Sequence, residues 1–388
     1  MEMVDLFHKE GIGVIMDFVP VHFISDTYAL NKFDGTALYE YADEDKGYSE
    51  WGTCNFNYYR GEVRSFLQSS ANFWMEKFHF DGIRMDAISN AIYWQGDSSK
   101  GINEGALDFI KCMNSGLQKL HPSVMLIAED STNFPKVTAP VEYDGLGFDY
   151  KWDMGWMNDT LNFFRTLPFC RGDQYHKLSF SMMYFYNERY MLPLSHDEVV
   201  HGKATIIQKM AGSYEEKFPN VKALYAYMYA HPGKKLNFMG NEIAQFREWD
   251  EKREQDWDIL KYPNHDSFNR YIRDLNSLYM KEPALSEWDD DPHGFDWILC
   301  GKEQDVVYIF QRVVNDNKIV VVLNLSGNTY KDYHFRYGEG GSMKVLMNTD
   351  WNKYGGNTKD TVKSIKGVCG DFGFDLPALS AMYLKPVD

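Results

Sequence analysis

Four short apolar runs that each end at or near an acid constrain this chain more than any other feature. They are Val14-Ile15-Met16-Asp17-Phe18-Val19, Gly82-Ile83-Arg84-Met85-Asp86, Val124-Met125-Leu126-Ile127-Ala128-Glu129 and Met191-Leu192-Pro193-Leu194-Ser195-His196-Asp197. A short apolar run without polar alternation suits a strand covered on both faces, as in a parallel sheet. Lys235-Leu236-Asn237-Phe238-Met239-Gly240 has the same texture, and helical patterns fill Arg64–Phe78, Glu104–Leu120 and Phe218–Ala230. Strand, loop, helix, strand is the order of a (β/α) barrel or of a doubly wound sheet. The acids decide between them. Strand ends in a barrel converge on one mouth, where catalysis occurs, whereas in an open sheet four such ends spread along a line.

The texture changes near Pro292. Short β-type runs at Val306–Phe310, Ile319–Leu325, Tyr333–Phe335, Met343–Leu346 and Ala381–Leu384, with glycine turns at 338–341 and 355–356, predict an all-β sandwich. The expected organisation is a barrel region over residues 1–290 and a C-terminal β domain over 291–388, with Asp289-Asp290-Asp291 as a solvated junction.

Charge narrows the partners. Forty Lys and Arg against 56 Asp and Glu leave a net charge of −16, which repels phosphate backbones and anionic membranes. Nucleic acid and lipid surfaces are therefore not expected partners. Aromatic residues make up 16% of the chain, a proportion that fits either a sugar-stacking groove or a large core. Five cysteines without C-x-x-C spacing give neither a disulfide framework nor a zinc site. The acidic start lacks the layout of a signal peptide, and no apolar stretch reaches the roughly 18 residues that would span a bilayer. A cytoplasmic location is the expectation.

Asp86 and Glu129, on neighbouring barrel strands, can flank one glycosidic bond. Two carboxylates about 5–5.5 Å apart perform a retaining double displacement, one as nucleophile and one as proton donor. Arg84 lies two residues before Asp86, so its side chain points to the same face and holds the aspartate ionised. A structural salt bridge at a strand end is the plainer reading of that pair. Asp17 with His22, and His196 with Asp197, add donors and acceptors suited to sugar hydroxyls. Each polar group orphaned in a dry site costs about 1–3 kcal/mol, so such contacts discriminate strongly.

These residues carry a resemblance to the α-amylase superfamily. Asp17-Phe18-Val19-Pro20-Val21-His22 resembles its first signature region, Gly82-Ile83-Arg84-Met85-Asp86-Ala87 the second, Ile127-Ala128-Glu129-Asp130-Ser131-Thr132 the third and Leu194-Ser195-His196-Asp197 the fourth. Leu192 to Lys203, Lys151-Trp152-Asp153-Met154-Gly155-Trp156-Met157, His231-Pro232-Gly233-Lys234-Lys235 and Arg247-Glu248-Trp249 narrow the resemblance to the 1,4-α-glucan (glycogen) branching enzymes. It implies Asp86 as nucleophile, Glu129 as general acid/base and Asp197 as the residue that grips and distorts the sugar. Arg84, His22 and His196 would bind the ring, with Asp17 in support. Trp152, Trp156 and Trp249 are platforms or walls on this reading, and core residues on the plainer one. The implied reaction cuts an α-1,4 linkage and passes the chain to a 6-hydroxyl of an α-glucan. No cofactor is implied.

Two departures from the family pattern matter. Calcium-binding amylases carry Asn before the region-one His; Val21 stands here and offers no side-chain oxygen, so no metal is expected at that position. Region one also belongs to the family's third barrel strand. The resemblance thus implies a (β/α)8 barrel of TIM type lacking its first two strands, whose missing N-terminal segment is a possible partner. Two alternatives stay open: a hydrolase of the same superfamily, and an inactive carbohydrate-binding fragment.

Overall fold

The computed structural model describes residues 1–338 and 341–387. The chain forms two compact units, Met1–Trp152 with Asn187–Tyr190, and Asp153–Tyr186 with Met191 onward.

In the first unit, β1 (Ile15–Phe18), β4 (Gly82–Met85), β5 (Met125–Ala128) and β6 (Tyr150–Trp152) pair in parallel in that order. A small antiparallel pair, β2 (His22–Phe23) and β3 (Cys54–Asn55), follows β1. The register sets Asp17 beside Arg84 and Arg84 beside Ile127, so the acid-bearing ends line up. Gly82 is required by close approach: a Cβ there would stand 2.6 Å from the Met125 carbonyl oxygen. Between the strands run helices Gly61–Phe78 and Glu104–Leu120. The second starts at Asn103, whose side chain accepts from the Ala106 N–H, and buries Ala106, Phe109, Ile110, Met113 and Leu117 at helical spacing. β4 is buried along its whole length, as the unalternated run predicts. β1 is different. Among the described residues it bonds on one side only, and Ile15 is exposed.

In the second unit, β7 (Tyr190–Leu194) and β8 (Lys234–Asn237) pair in parallel from Met191 beside Lys234 to Leu194 beside Asn237. Helix Tyr214–Ala230 begins with a capping box of Ser213 and Glu216 and is buried nearly all round, so it serves as core. Eight antiparallel strands complete the unit: β9 (Phe295–Leu299), β10 (Val307–Val314), β11 (Asn317–Asn324), β12 (Tyr330–Arg336), β13 (Gly341–Asn348), β14 (Ser364–Val368), β15 (Asp371–Leu376) and β16 (Ser380–Val387). Their hydrogen-bonded order is β12-β15-β14-β13-β16-β11-β10-β9. This is the expected all-β C-terminal region, and Glu339 and Gly340 of the expected glycine turn lie outside the described residues.

Buried cations bind this sheet to the helices before it. Arg171 is fully buried and donates to the carbonyl oxygens of Thr166, Phe164 and Leu325 and to Asn220 Oδ1. Lys222 donates to the carbonyls of Thr349 and Tyr354 at 3.0 and 2.9 Å. Asp289 corrects an expectation. It is buried (4% exposed) and accepts from Arg312 at 2.8 Å and Lys234 at 3.0 Å, so it is an internal counter-ion rather than part of a solvated junction. A run of three acids reads as a solvated face, but here fully buried Arg312 required a carboxylate and took one of the three. Among the described residues no helix is long and apolar enough to cross a membrane.

Candidate active site

Arg84 organises the acidic ends of the first unit. Its side chain is only 9% exposed, and its guanidinium meets three carboxylates: Nη1 lies 2.7 Å from Asp17 Oδ1 and 2.9 Å from Asp86 Oδ1, and Nη2 donates to Glu129 Oε2 at 2.6 Å. Burial works against its charge, but Glu129, Asp17 and Asp86 outweigh it and hold the guanidinium above its ordinary pKa. The back of the fork lies 4.5 Å from the Trp152 ring centroid, a cation–π contact. A planar, permanently charged fork is the group that can fix several carboxylates at once.

Backbone geometry sets the carboxylates. Asp86 directly follows β4 and its N–H donates to the Phe18 carbonyl; Glu129 directly follows β5 and its N–H donates to Met85, both at 3.0 Å. Between them Ala87 adopts φ +50°, a left-handed conformation costly for a residue with a Cβ. That turn aims the Ala87 N–H at Glu129 Oε2, 3.0 Å away, while Ile88 N–H donates to the Glu129 carbonyl at 2.9 Å. Strain in one residue thus positions a carboxylate on the next strand. His22 Nε2 lies 3.3 Å from Asp86 Oδ2. Burial pushes the Asp86 carboxyl up, but the His22 hydrogen bond and the Arg84 charge prevail and hold it below the usual range. Asp86 is therefore a ready anion at neutral pH. Behind the site, wholly buried Asp130 pairs with Lys151 at 2.8 Å, and Lys151 also donates to the Thr132 carbonyl at 2.7 Å, fixing the loop after Glu129.

Asp17, His22, Arg84, Asp86, Glu129 and Trp152 thus come together in the first unit. His196 and Asp197 stand just beyond β7 in the second unit, half-exposed, with His196 Nε2 3.3 Å from Asp197 Oδ1. Trp152 corrects its assignment as a sugar-binding residue. Its ring is 4% exposed and lies under Arg84, so it packs behind the guanidinium instead of offering a face to a ligand. Trp156 is likewise core, stacked on Tyr227. Among the described residues no group of three or more His, Cys, Asp or Glu is set to hold a metal ion.

Residues 297–387 match the family described as alpha amylase, C-terminal all-beta domain. Over 95% of its length the chain is 45% identical to a 1,4-alpha-glucan branching enzyme of Fusobacterium nucleatum, of which it covers 60%. It is 42% identical, over 99% of its length, to that of Aquifex aeolicus, covering 64%. The chain is a relative of the 1,4-α-glucan branching enzymes. It spans about three fifths of the length of these branching-enzyme relatives. The fold is that of α-amylases: the structure from Geobacillus thermoleovorans superposes with a TM-score of 0.73 at 15% identity, over the whole of this chain and 80% of that one. The structure described as that of α-amylase from H. orenii gives 0.68 at 16%, over the whole of this chain and 83% of the other.

Sequence reasoning on this branching-enzyme relative missed the pairing of Lys151 with Asp130. A buried Lys–Asp pair leaves no periodic signal, because the two residues lie on separate elements.

Proposed function

We propose that this chain is the catalytic part of a 1,4-α-glucan branching enzyme. It would cleave an α-1,4 linkage with retention and transfer the chain to a 6-hydroxyl to form α-1,6 branches in glycogen or starch. The observation that carries this reading is the single Arg84 fork holding Asp86 and Glu129 together, joined to similarity along nearly the whole chain to proteins named as branching enzymes.

Asp86, kept anionic by His22 and Arg84, attacks the anomeric carbon and forms a glycosyl–enzyme ester. Glu129 protonates the departing glycosidic oxygen and then takes the proton from the incoming 6-hydroxyl. Arg84 stabilises negative charge on both carboxylates without itself losing a proton. His22 and His196 bind hydroxyls of the reacting ring, Asp197 grips and distorts it, and Asp17 steadies Arg84. Transfer outcompetes hydrolysis when a sugar is positioned better than water. A cytoplasmic location, a role in glycogen biosynthesis and completion by a further N-terminal segment belong to the same proposal.

Iodine absorbance on amylose tests it. Branching lowers the absorbance with little gain in reducing ends, whereas hydrolysis raises reducing ends in step. Stoichiometric release of reducing sugar would assign the chain to the hydrolases. Glucan binding without any turnover would mark an inactive binding fragment.

A further inference from the structure

The turn that leads into β3 sets a large aromatic face beside the gathered carboxylates. Trp51 is 51% exposed, and its ring centroid lies 5.1 Å from that of His22, the planes tilted by 53°. His22 itself reaches Asp86. The turn is built rather than loose. Ser49 N–H donates to the Thr53 carbonyl at 2.8 Å, the Ser49 and Thr53 hydroxyls lie 2.6 Å apart, and Trp51 N–H donates to Ser49 Oγ at 3.2 Å. Gly52, at φ +72° with open space around it, supplies the left-handed step that closes the turn. The β2–β3 ladder, with His22 opposite Asn55 and Phe23 opposite Cys54, ties the same turn to the strand that carries His22.

Next to this turn opens a cleft of about 1000 Å³, lined in part by Tyr48, Ser49, Glu50, Trp94 and Gln95. Gln95 fixes its wall by donating to the carbonyls of Asp45 at 2.6 Å and Tyr48 at 2.7 Å. Hydroxyl, carboxyl and amide groups set among aromatic carbon suit a ligand with apolar C–H faces and a polar rim. A rigid indole half in water gains apolar burial when such a face covers it, at little cost in conformational entropy.

We infer that Trp51 is a stacking platform for a glucosyl unit adjoining the one held at Asp86, and that the cleft beside it receives further units of the same α-1,4-glucan. This rests on the glucan reading of the Arg84 site and adds a residue that composition and spacing did not single out. Affinity for chains long enough to reach the platform then depends on an aromatic ring at position 51.

The test uses maltoheptaose as the probe and the full chain carrying Glu129→Gln, so that the ligand is bound without turnover. Titration calorimetry on this parent is compared with the same chain carrying Trp51→Ala or Trp51→Phe. The expected result is about tenfold weaker binding for Trp51→Ala, near-parental binding for Trp51→Phe, and unchanged thermal unfolding in both, because the ring is half in solvent already. Parental affinity in Trp51→Ala would overturn the platform while leaving a branching activity of the wild-type chain intact. Weakened binding in a protein whose wild type shows no branching would keep the platform and reject the branching reading.

Discussion

At the scale of single residues the site depends on division of labour among like charges. Three carboxylates around one guanidinium repel one another, and the pattern persists because Arg84 stays charged and fixed between Trp152 and the acids. Asp86→Ala is expected to reduce transfer by at least about 1000-fold, the scale seen when a covalent nucleophile is deleted. Folding should survive, since Arg84 retains Asp17 and Glu129. Glu129→Gln should cut the rate comparably without changing side-chain volume, and branch formation by the iodine assay reads both. Wild-type rates in either folded variant would remove that residue from the mechanism. Most of this centre was legible in the sequence: Asp86 and Glu129 follow apolar strands, and two-residue spacing placed Arg84 on the face of Asp86. What the sequence hid was three-dimensional. That Ala87 would take a left-handed conformation to point its N–H at Glu129, and that Trp152 would lie beneath Arg84, depends on neighbours brought together by the sheet.

At the scale of elements, the expectation held where apolar residues ran on without interruption and failed where charges or glycines broke them. Helix Glu104–Leu120 has the predicted bounds, while helices expected from Arg64 and Phe218 start earlier, at Gly61 and Tyr214. Strand β6 went unread because it has three residues and one is a lysine, which is buried only because Asp130 receives it. Strands β9, β14 and β15 also escaped notice, since glycines and charges dilute their alternation. The misreading of Asp289 has the sharpest consequence. Replacing it with alanine leaves Arg312, fully buried, without its carboxylate, and breaking a buried pair in this way costs about 3–5 kcal/mol. Chemical denaturation of Asp289→Ala beside the wild type should show that loss. An Asp289→Ala variant as stable as the wild type would restore the solvated-junction reading.

At the scale of the molecule, buried titratable groups shape the response to pH. Burial pushes the Lys222 pKa down to about 8, against an ordinary 10.5. Between those values the unfolded chain binds a proton that the folded chain does not, so stability rises with pH. Buried Tyr58, Tyr225, Tyr271 and Tyr383 are raised well above their ordinary 10. Above pH 10 the unfolded chain releases those protons first, and stability falls. Urea midpoints should therefore climb from pH 8 toward 10 and decline beyond it, and Lys222→Met should lessen the climb without abolishing it, because burial also pushes Lys209 down to about 8 and Lys235 to about 7. A midpoint that falls steadily from pH 7 would contradict this account.

The cations seated among carbonyl oxygens have one more effect. Arg171 depends on the Leu325 carbonyl, Lys222 on those of Thr349 and Tyr354, and Arg312, itself in β10, on those of Ala230 and Gly294. Hydrogen bonds of this kind are anchored on one side in helices and on the other in strands, so neither side can be dissected away intact. A protein cut near residue 290 would leave Arg171 and Lys222 as charges facing an apolar scar, and it should accumulate as insoluble material when expressed. What looks in the primary structure like a detachable tail is half of a lock whose bolts belong to its neighbour.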